Sequence, residues 1–256
     1  MLRFAIAAIL ALTSPALAQM PGELARAEID AGWRDGTTHV AGLTIRLAPG
    51  WKTYWRAPGD AGIPPTFNWS GSRNVADVAV QFPVPQVFDQ NGMQSLGYDE
   101  TVTFPLQIAV RDSNAPVRLQ GEIDIGVCEE ICVPLRLKVL AILPVDGNQG
   151  AALTALLNDR PETGGRLSCE IAPISDGLRL SAEVAVPRMG QGMVAVIETS
   201  NPEVWVSQPS IRRQGDMVRA EVEMVAPSAR PFALARSDIR MTVIAGGRAV
   251  EMIGCN

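Results

Sequence analysis

Val117 to Leu143 reads VRLQGEIDIGVCEEICVPLRLKVLAIL, and it decides the fold. Val117, Leu119, Gly121, Ile123, Ile125 and Val127 hold one parity of an extended chain, and Arg118, Gln120, Glu122, Asp124 and Gly126 hold the other. After Glu129-Glu130-Ile131 the alternation resumes, with Val133, Leu135, Leu137 and Val139 apolar and Arg136 and Lys138 polar. Period two over this length specifies two half-buried strands. Folding them about the three-residue loop sets Cys128 opposite Cys132, Val127 opposite Val133, Ile125 opposite Leu135, Ile123 opposite Leu137 and Gly121 opposite Val139. The same register sets Asp124 against Arg136 and Glu122 against Lys138, and a one-residue slip loses the apolar and the charged pairings together.

Both cysteines fall on the polar parity. Opposed residues of an antiparallel pair lie roughly 4.5–5.5 Å apart at Cα, within reach of a disulfide. The expectation is a bond whose two sulfurs face away from the core, open to another protein. Spacing and parity leave two readings: a redox pair, or a staple closing a loop so small that it stabilises little. The loop carries Glu129 and Glu130 and no basic residue, which disfavours the thiolate and predicts a thiol slow toward small reagents.

The same alternation extends outward. Leu43, Ile45 and Leu47 share a parity, as do Val78, Val80 and Phe82, and Val102, Phe104, Leu106, Ile108 and Val110; Pro105 within the last run suggests an edge strand or a bulge. Beyond the hairpin, Leu178, Leu180, Ala182, Val184 and Val186, then Val218, Ala220, Val222 and Met224, repeat the pattern, and Gly246-Gly247 marks a turn. Between the blocks, Gln149 to Arg160 has Leu153, Leu156 and Leu157 at helical spacing, closed by Pro161. The fold class predicted is all-β: two immunoglobulin-like sandwiches, residues 19–145 and 166–256, joined by a short helical connector at 146–165.

At the amino terminus Arg3, the apolar run Phe4 to Leu12 and Ala16-Leu17-Ala18 make a secretory signal over residues 1–18, too short to span a bilayer. The mature chain is then exported to the periplasm with no later membrane insertion, in a compartment that permits disulfides. A net charge of −5 without a basic cluster argues against nucleic acid and anionic membranes. Cys169 and Cys255 sit at the two ends of the second block and are expected to form a structural disulfide. His39 is the only histidine, which weakens histidine-based metal sites and a Ser/His/Asp triad. No metal site and no cofactor are predicted, and Asp60 reads as a turn former. Met93, Met189 and Met193 raise a Cu(I) reading, although the methionines are mostly spaced as strand-core residues.

Two runs, GWKTYWRAPGDAGIPP at 50–65 and VCEEICVP at 127–134, resemble the periplasmic amino-terminal domain of the thiol:disulfide interchange protein DsbD, and most of all its ScsB branch, the suppressors of copper sensitivity. The resemblance spans Trp33 to Leu143 most strongly. It implies an immunoglobulin-like domain that relays electrons between a membrane-embedded carrier and periplasmic thioredoxin-fold proteins. Cys132 matches the cysteine that is attacked, and Cys128 its resolving partner. A cap over the cysteines corresponds to Phe88-Asp89-Gln90-Asn91-Gly92-Met93, with Gly92 as hinge and Phe88 or Met93 as lid, and Tyr54 matches an aromatic near the redox site. Core packing is the alternative role for Phe88 and Tyr54. DsbD members space their cysteines more widely than here, while the ScsB branch has this spacing. The membrane-spanning and thioredoxin-like parts of the family are missing, so a partner is expected to supply electrons. The first reading is therefore a thiol:disulfide oxidoreductase; the alternative is a non-redox binding or adaptor module, a Cu(I)-handling one included, whose hairpin disulfide never opens.

Overall fold

The structure, a computed structural model, describes residues 24–59, 62–90 and 92–256. The signal segment, Asp60 and Asn91 lie outside the described residues. Among the described residues ten strands come first: β1 (Ala25–Asp35), β2 (Thr38–Leu47), β3 (Lys52–Gly59), β4 (Thr66–Asn68), β5 (Val75–Val80), β6 (Gln86–Gln90), β7 (Met93–Asp99), β8 (Thr101–Val110), β9 (Val117–Cys128) and β10 (Cys132–Leu143). They form one sheet in the order β1-β2-β8-β5 and a second in the order β10-β9-β3-β7-β6, with β4 also on β9. The period-two residues of both sheets meet in one core, where Leu43, Ile45, Phe104, Leu106 and Ile108 share a cluster with Trp55, Ile123, Ile125 and Val127. This is the face-to-face packing of a sandwich.

The hairpin β9–β10 pairs in the register that its alternation predicts, from Cys132 opposite Cys128 to Leu143 opposite Val117. Arg136 holds Asp124 at 2.6 Å and Lys138 holds Glu122 at 3.1 Å on the outer face. Pro105 does not lie on an edge: β8 runs between β2 and β5. Its carbonyl accepts from Gln81 N on the β5 side, and its nitrogen points the same way, just beyond Val80 where β5 ends. A missing N–H costs no ladder bond there.

Helix α1 (Ala151–Asn158) is bound to the first sandwich. Leu153 packs with Trp33 and Val40, while Gln81 Nε2 donates to the terminal carbonyls of Leu156 and Leu157, both at 3.1 Å. These bonds satisfy carbonyls that the end of a short helix leaves open.

The remaining strands are β11 (Glu162–Thr163), β12 (Ser168–Pro173), β13 (Leu178–Ala185), β14 (Val194–Glu198), β15 (Trp205–Val206), β16 (Ser210–Gln214), β17 (Met217–Val225), β18 (Arg240–Ala245) and β19 (Arg248–Ile253). They build sheets β11-β19-β18-β14 and β12-β13-β17-β15, with β16 on β17. Gly246 and Gly247, at φ 57° and 73°, turn the β18–β19 hairpin in the conformation that two-residue loops require. The sandwiches touch through Val194, Ile244 and Ala249, which join the first core. At their junction the guanidinium of Arg56 lies 4.1 Å from the Trp55 ring centre and pairs with Glu198 and Glu251 of the second block.

His39 is wholly buried on β2. Its Nδ1 accepts from Arg34 Nε at 3.2 Å and its Nε2 donates to the Ala31 carbonyl at 2.5 Å, so the neutral ring is fully used. Burial lowers its pKa below the ordinary 6.5; the Ala31 bond opposes that and the Arg34 charge adds to it. Below pH 6.5 the unfolded chain takes up a proton that the folded chain refuses, so stability falls as pH drops and is level above. Denaturant melts at pH 7.5 and 5.5 should show a loss of up to about 1 kcal/mol from this group, absent in His39→Gln.

Candidate active site

At the hairpin tip Cys128 and Cys132 are joined, with Cα atoms 4.2 Å apart. Their surroundings differ because their strands do. β10 is the edge of its sheet, so Cys132 is exposed, whereas β9 is flanked on its other side by β3, where Lys52 pairs with Cys128. Cys128 is only 2% exposed. The expectation that both sulfurs are open is thus corrected. Parity gives the face of a strand, but not what the next strand lays over it. Between the cysteines, Ile131 projects with 74% of its surface exposed.

Tyr54 closes over the bond. Its hydroxyl donates to Cys128 Sγ at 2.7 Å and lies 3.4 Å from Cys132 Sγ. Burial pushes the Tyr54 pKa up, which keeps the phenol a donor. The glycines around it leave room for this arrangement. A Cβ at Gly62 would stand 2.7 Å from Tyr54 Cδ1, and one at Gly126 would stand 2.7 Å from Ile63 Cβ. Neither position accepts a side chain without displacing the segment that crosses the sheet here.

Lys52 shares the face of Tyr54 and Cys128, and sequence reasoning gave it no role. It is 5% exposed, its ammonium is 5.1 Å from the centre of the Phe88 ring, and burial lowers its pKa. Its alternation with Tyr54 was visible in the GWKTYW run, but the pairing of β3 with β9 was not.

The stretch read as a cap loop is the end of the β6–β7 hairpin, with Gln90 paired to Met93. Gly92, at φ 83°, turns the chain and donates its N–H to Asp89 Oδ1. Phe88 is half-buried and meets the cysteine row through Lys52, while Met93 lies 53% exposed at the hairpin end. Met189 and Met193 pack against the core of the second sandwich. Cys169 and Cys255 are bonded at a Cα separation of 5.7 Å. Among the described residues no group of three or more His, Cys, Asp or Glu is placed to hold a metal ion, and no helix is long and apolar enough to cross a membrane.

The family model of the thiol:disulfide interchange protein DsbD, N-terminal, matches residues 19–144, which contain the whole cysteine hairpin. This part of the chain belongs to that family. The chain is also similar to the crystal structure of the N-terminal periplasmic domain of ScsB from Proteus mirabilis, with 22% identity and a TM-score of 0.65 over 93% of this chain and 97% of that one. That likeness establishes the fold and extends past the DsbD amino-terminal domain into the second sandwich. No curated protein matches the sequence. Within the DsbD amino-terminal domain, the sulfurs, Tyr54 and Lys52 all lie on the outer face of the sheet that carries the hairpin.

Proposed function

We propose that the chain is an exported, periplasmic thiol:disulfide exchange protein that relays electrons between partner proteins through Cys128 and Cys132. The observation that carries this reading is the asymmetry of the pair: one sulfur exposed on an edge strand, the other buried beneath a hydrogen-bonding phenol. A staple needs no such difference, whereas exchange needs one sulfur to be attacked and the other to leave.

In the accepting direction a partner thiolate attacks Cys132 Sγ. The Cys128–Cys132 bond breaks and its electron pair passes to Cys128 Sγ, where Tyr54 donates a hydrogen bond. A second partner thiol then attacks the partner's own sulfur in the mixed disulfide and frees Cys132. Two electrons and two protons have moved from the partner dithiol to the pair. In the donating direction Cys132 attacks a partner disulfide, and Cys128 resolves the adduct by attacking Cys132. No cofactor enters either direction. The partners fitting this chemistry are a thioredoxin-fold protein and a membrane electron-transfer protein of the DsbD or ScsB type, and exposed Ile131 offers an apolar contact beside the attacked sulfur. The hairpin end with Phe88, Gly92 and Met93 serves as a shield. Cys169–Cys255 is a staple of a second domain, residues 166–256, which follows the redox domain 19–145 and the connector 146–165. Residues 1–18 direct export.

Incubating the oxidised protein with reduced thioredoxin, then alkylating and mapping the thiols, tests this reading. Cys128 and Cys132 should become labelled while Cys169 and Cys255 stay bonded. A Cys128–Cys132 bond left intact under those conditions would contradict it.

A further inference from the structure

Lys52 is costly to explain as packing alone. It is 5% exposed and lines a hollow beside the disulfide, yet it makes no ion pair among the described residues. Asp99 is its register partner on β7, Asp89 and Glu100 line the same hollow, and Glu129 and Glu130 stand in the loop beyond Cys128. What the ammonium does meet is the face of Phe88.

Across the sheet, Cys132, Cys128 and Lys52 occupy successive strands in register and therefore point to one face. In the oxidised protein that row holds two neutral sulfurs and one cation. When the disulfide opens, the electron pair of the broken bond places a negative charge on Cys128, the least exposed member of the pair. Burial disfavours a thiolate and so do nearby carboxylates such as Glu129 and Glu130; an adjacent cation favours it. A lysine carries its charge on a flexible four-carbon stem, so rotation can bring the ammonium from the Phe88 face toward the neighbouring sulfur.

We propose that Lys52 is the positioning cation of this site, stabilising the Cys128 thiolate that departs when Cys132 is attacked. This rests on the exchange reading above. A lower leaving-group pKa speeds departure, so Lys52 supplies the charge that the acidic loop lacks, while Tyr54 supplies the hydrogen bond. Among the described residues no ion pair holds the ammonium away from the sulfur.

The test uses Cys132→Ser protein, in which Cys128 is the one site thiol and the Cys169–Cys255 bond is retained. Titrating its thiolate by ultraviolet absorbance needs no partner and no turnover, so the result stands whether or not the pair proves to exchange with thioredoxin. Adding Lys52→Met should raise the titration midpoint by about one pH unit, a tenfold loss of thiolate at a given pH; Lys52→Gln should do the same, and Lys52→Arg should leave the midpoint close to that of the parent. A midpoint unmoved by Met and Gln, or moved equally by Arg, would overturn the assignment to charge.

Discussion

Cys128→Ser protein is expected to accumulate a stable mixed disulfide with its redox partner, while Cys132→Ser protein forms none, and turnover is lost in both. The difference follows from the sheet rather than from the cysteines. In Cys128→Ser the remaining sulfur sits on an edge strand next to exposed Ile131, free to be joined to a partner, with no neighbour left to break the adduct. In Cys132→Ser the remaining sulfur is 2% exposed beneath Tyr54, with β3 along its other side. A partner sulfur must approach in line with the bond that it attacks, and burial denies that approach. Non-reducing gels of each variant mixed with a thioredoxin-fold partner distinguish the outcomes. Equal trapping by both variants would show that the two sulfurs are equally accessible and would remove the assigned direction of attack.

The largest expected loss of stability comes from the other disulfide. Replacing Cys169 and Cys255 with serine opens a loop whose ends are 86 positions apart, for which the chain-entropy model gives about 4–5 kcal/mol. The folded state around the bond has other ties. Asn256 N donates to the Leu167 carbonyl, and Arg236 Nη1 donates to the carbonyls of Cys169 and Asn256 at 2.8 and 2.9 Å. The chain end therefore stays in place without the bond, and most of the effect falls on the unfolded chain, which gains freedom. Denaturant melts followed at Trp205, in the second sandwich, should report the destabilisation. A change of less than about 1 kcal/mol would mean that the closed loop contributes little. Opening Cys128–Cys132, only 4 positions apart, should change stability far less, and this contrast separates a staple from a working bond.

What was legible in the sequence was whatever depends on local alternation. The β9–β10 register followed from apolar residues and opposite charges that fit only one pairing, and the Gly246-Gly247 turn followed from the backbone conformation that glycine permits. The order of strands across a sheet leaves no such mark. Lys52 and Tyr54 are more than seventy positions from Cys128, and nothing in the alternation of β3 states that β9 lies beside it. For the same reason Pro105 read as an edge strand or a bulge, although its strand is central and only its local neighbour ends early. The Phe88–Met93 stretch was placed as a cap by resemblance, and its alternation alone did not show that Gln90 pairs with Met93 at the end of a hairpin. Arg56, lying between Glu198 and Glu251, carried no signal of its own, because its partners belong to a different sandwich.

These contacts give the second sandwich a physical connection to the site. β3 presents Lys52 and Tyr54 to the disulfide at one end and Arg56 to the second sandwich at the other. Docking thus holds the strand on which the environment of Cys128 depends, and the first sandwich does not bear that strand alone.

The reduction potential of Cys128–Cys132, measured by equilibrating the whole chain with glutathione and thioredoxin buffers, tests the central claim most directly. An exchanging pair will titrate between dithiol and disulfide across those buffers, at a potential above about −300 mV, while Cys169–Cys255 stays oxidised. A Cys128–Cys132 bond that resists both buffers, with a potential below about −300 mV, would mark it as structural and contradict the account.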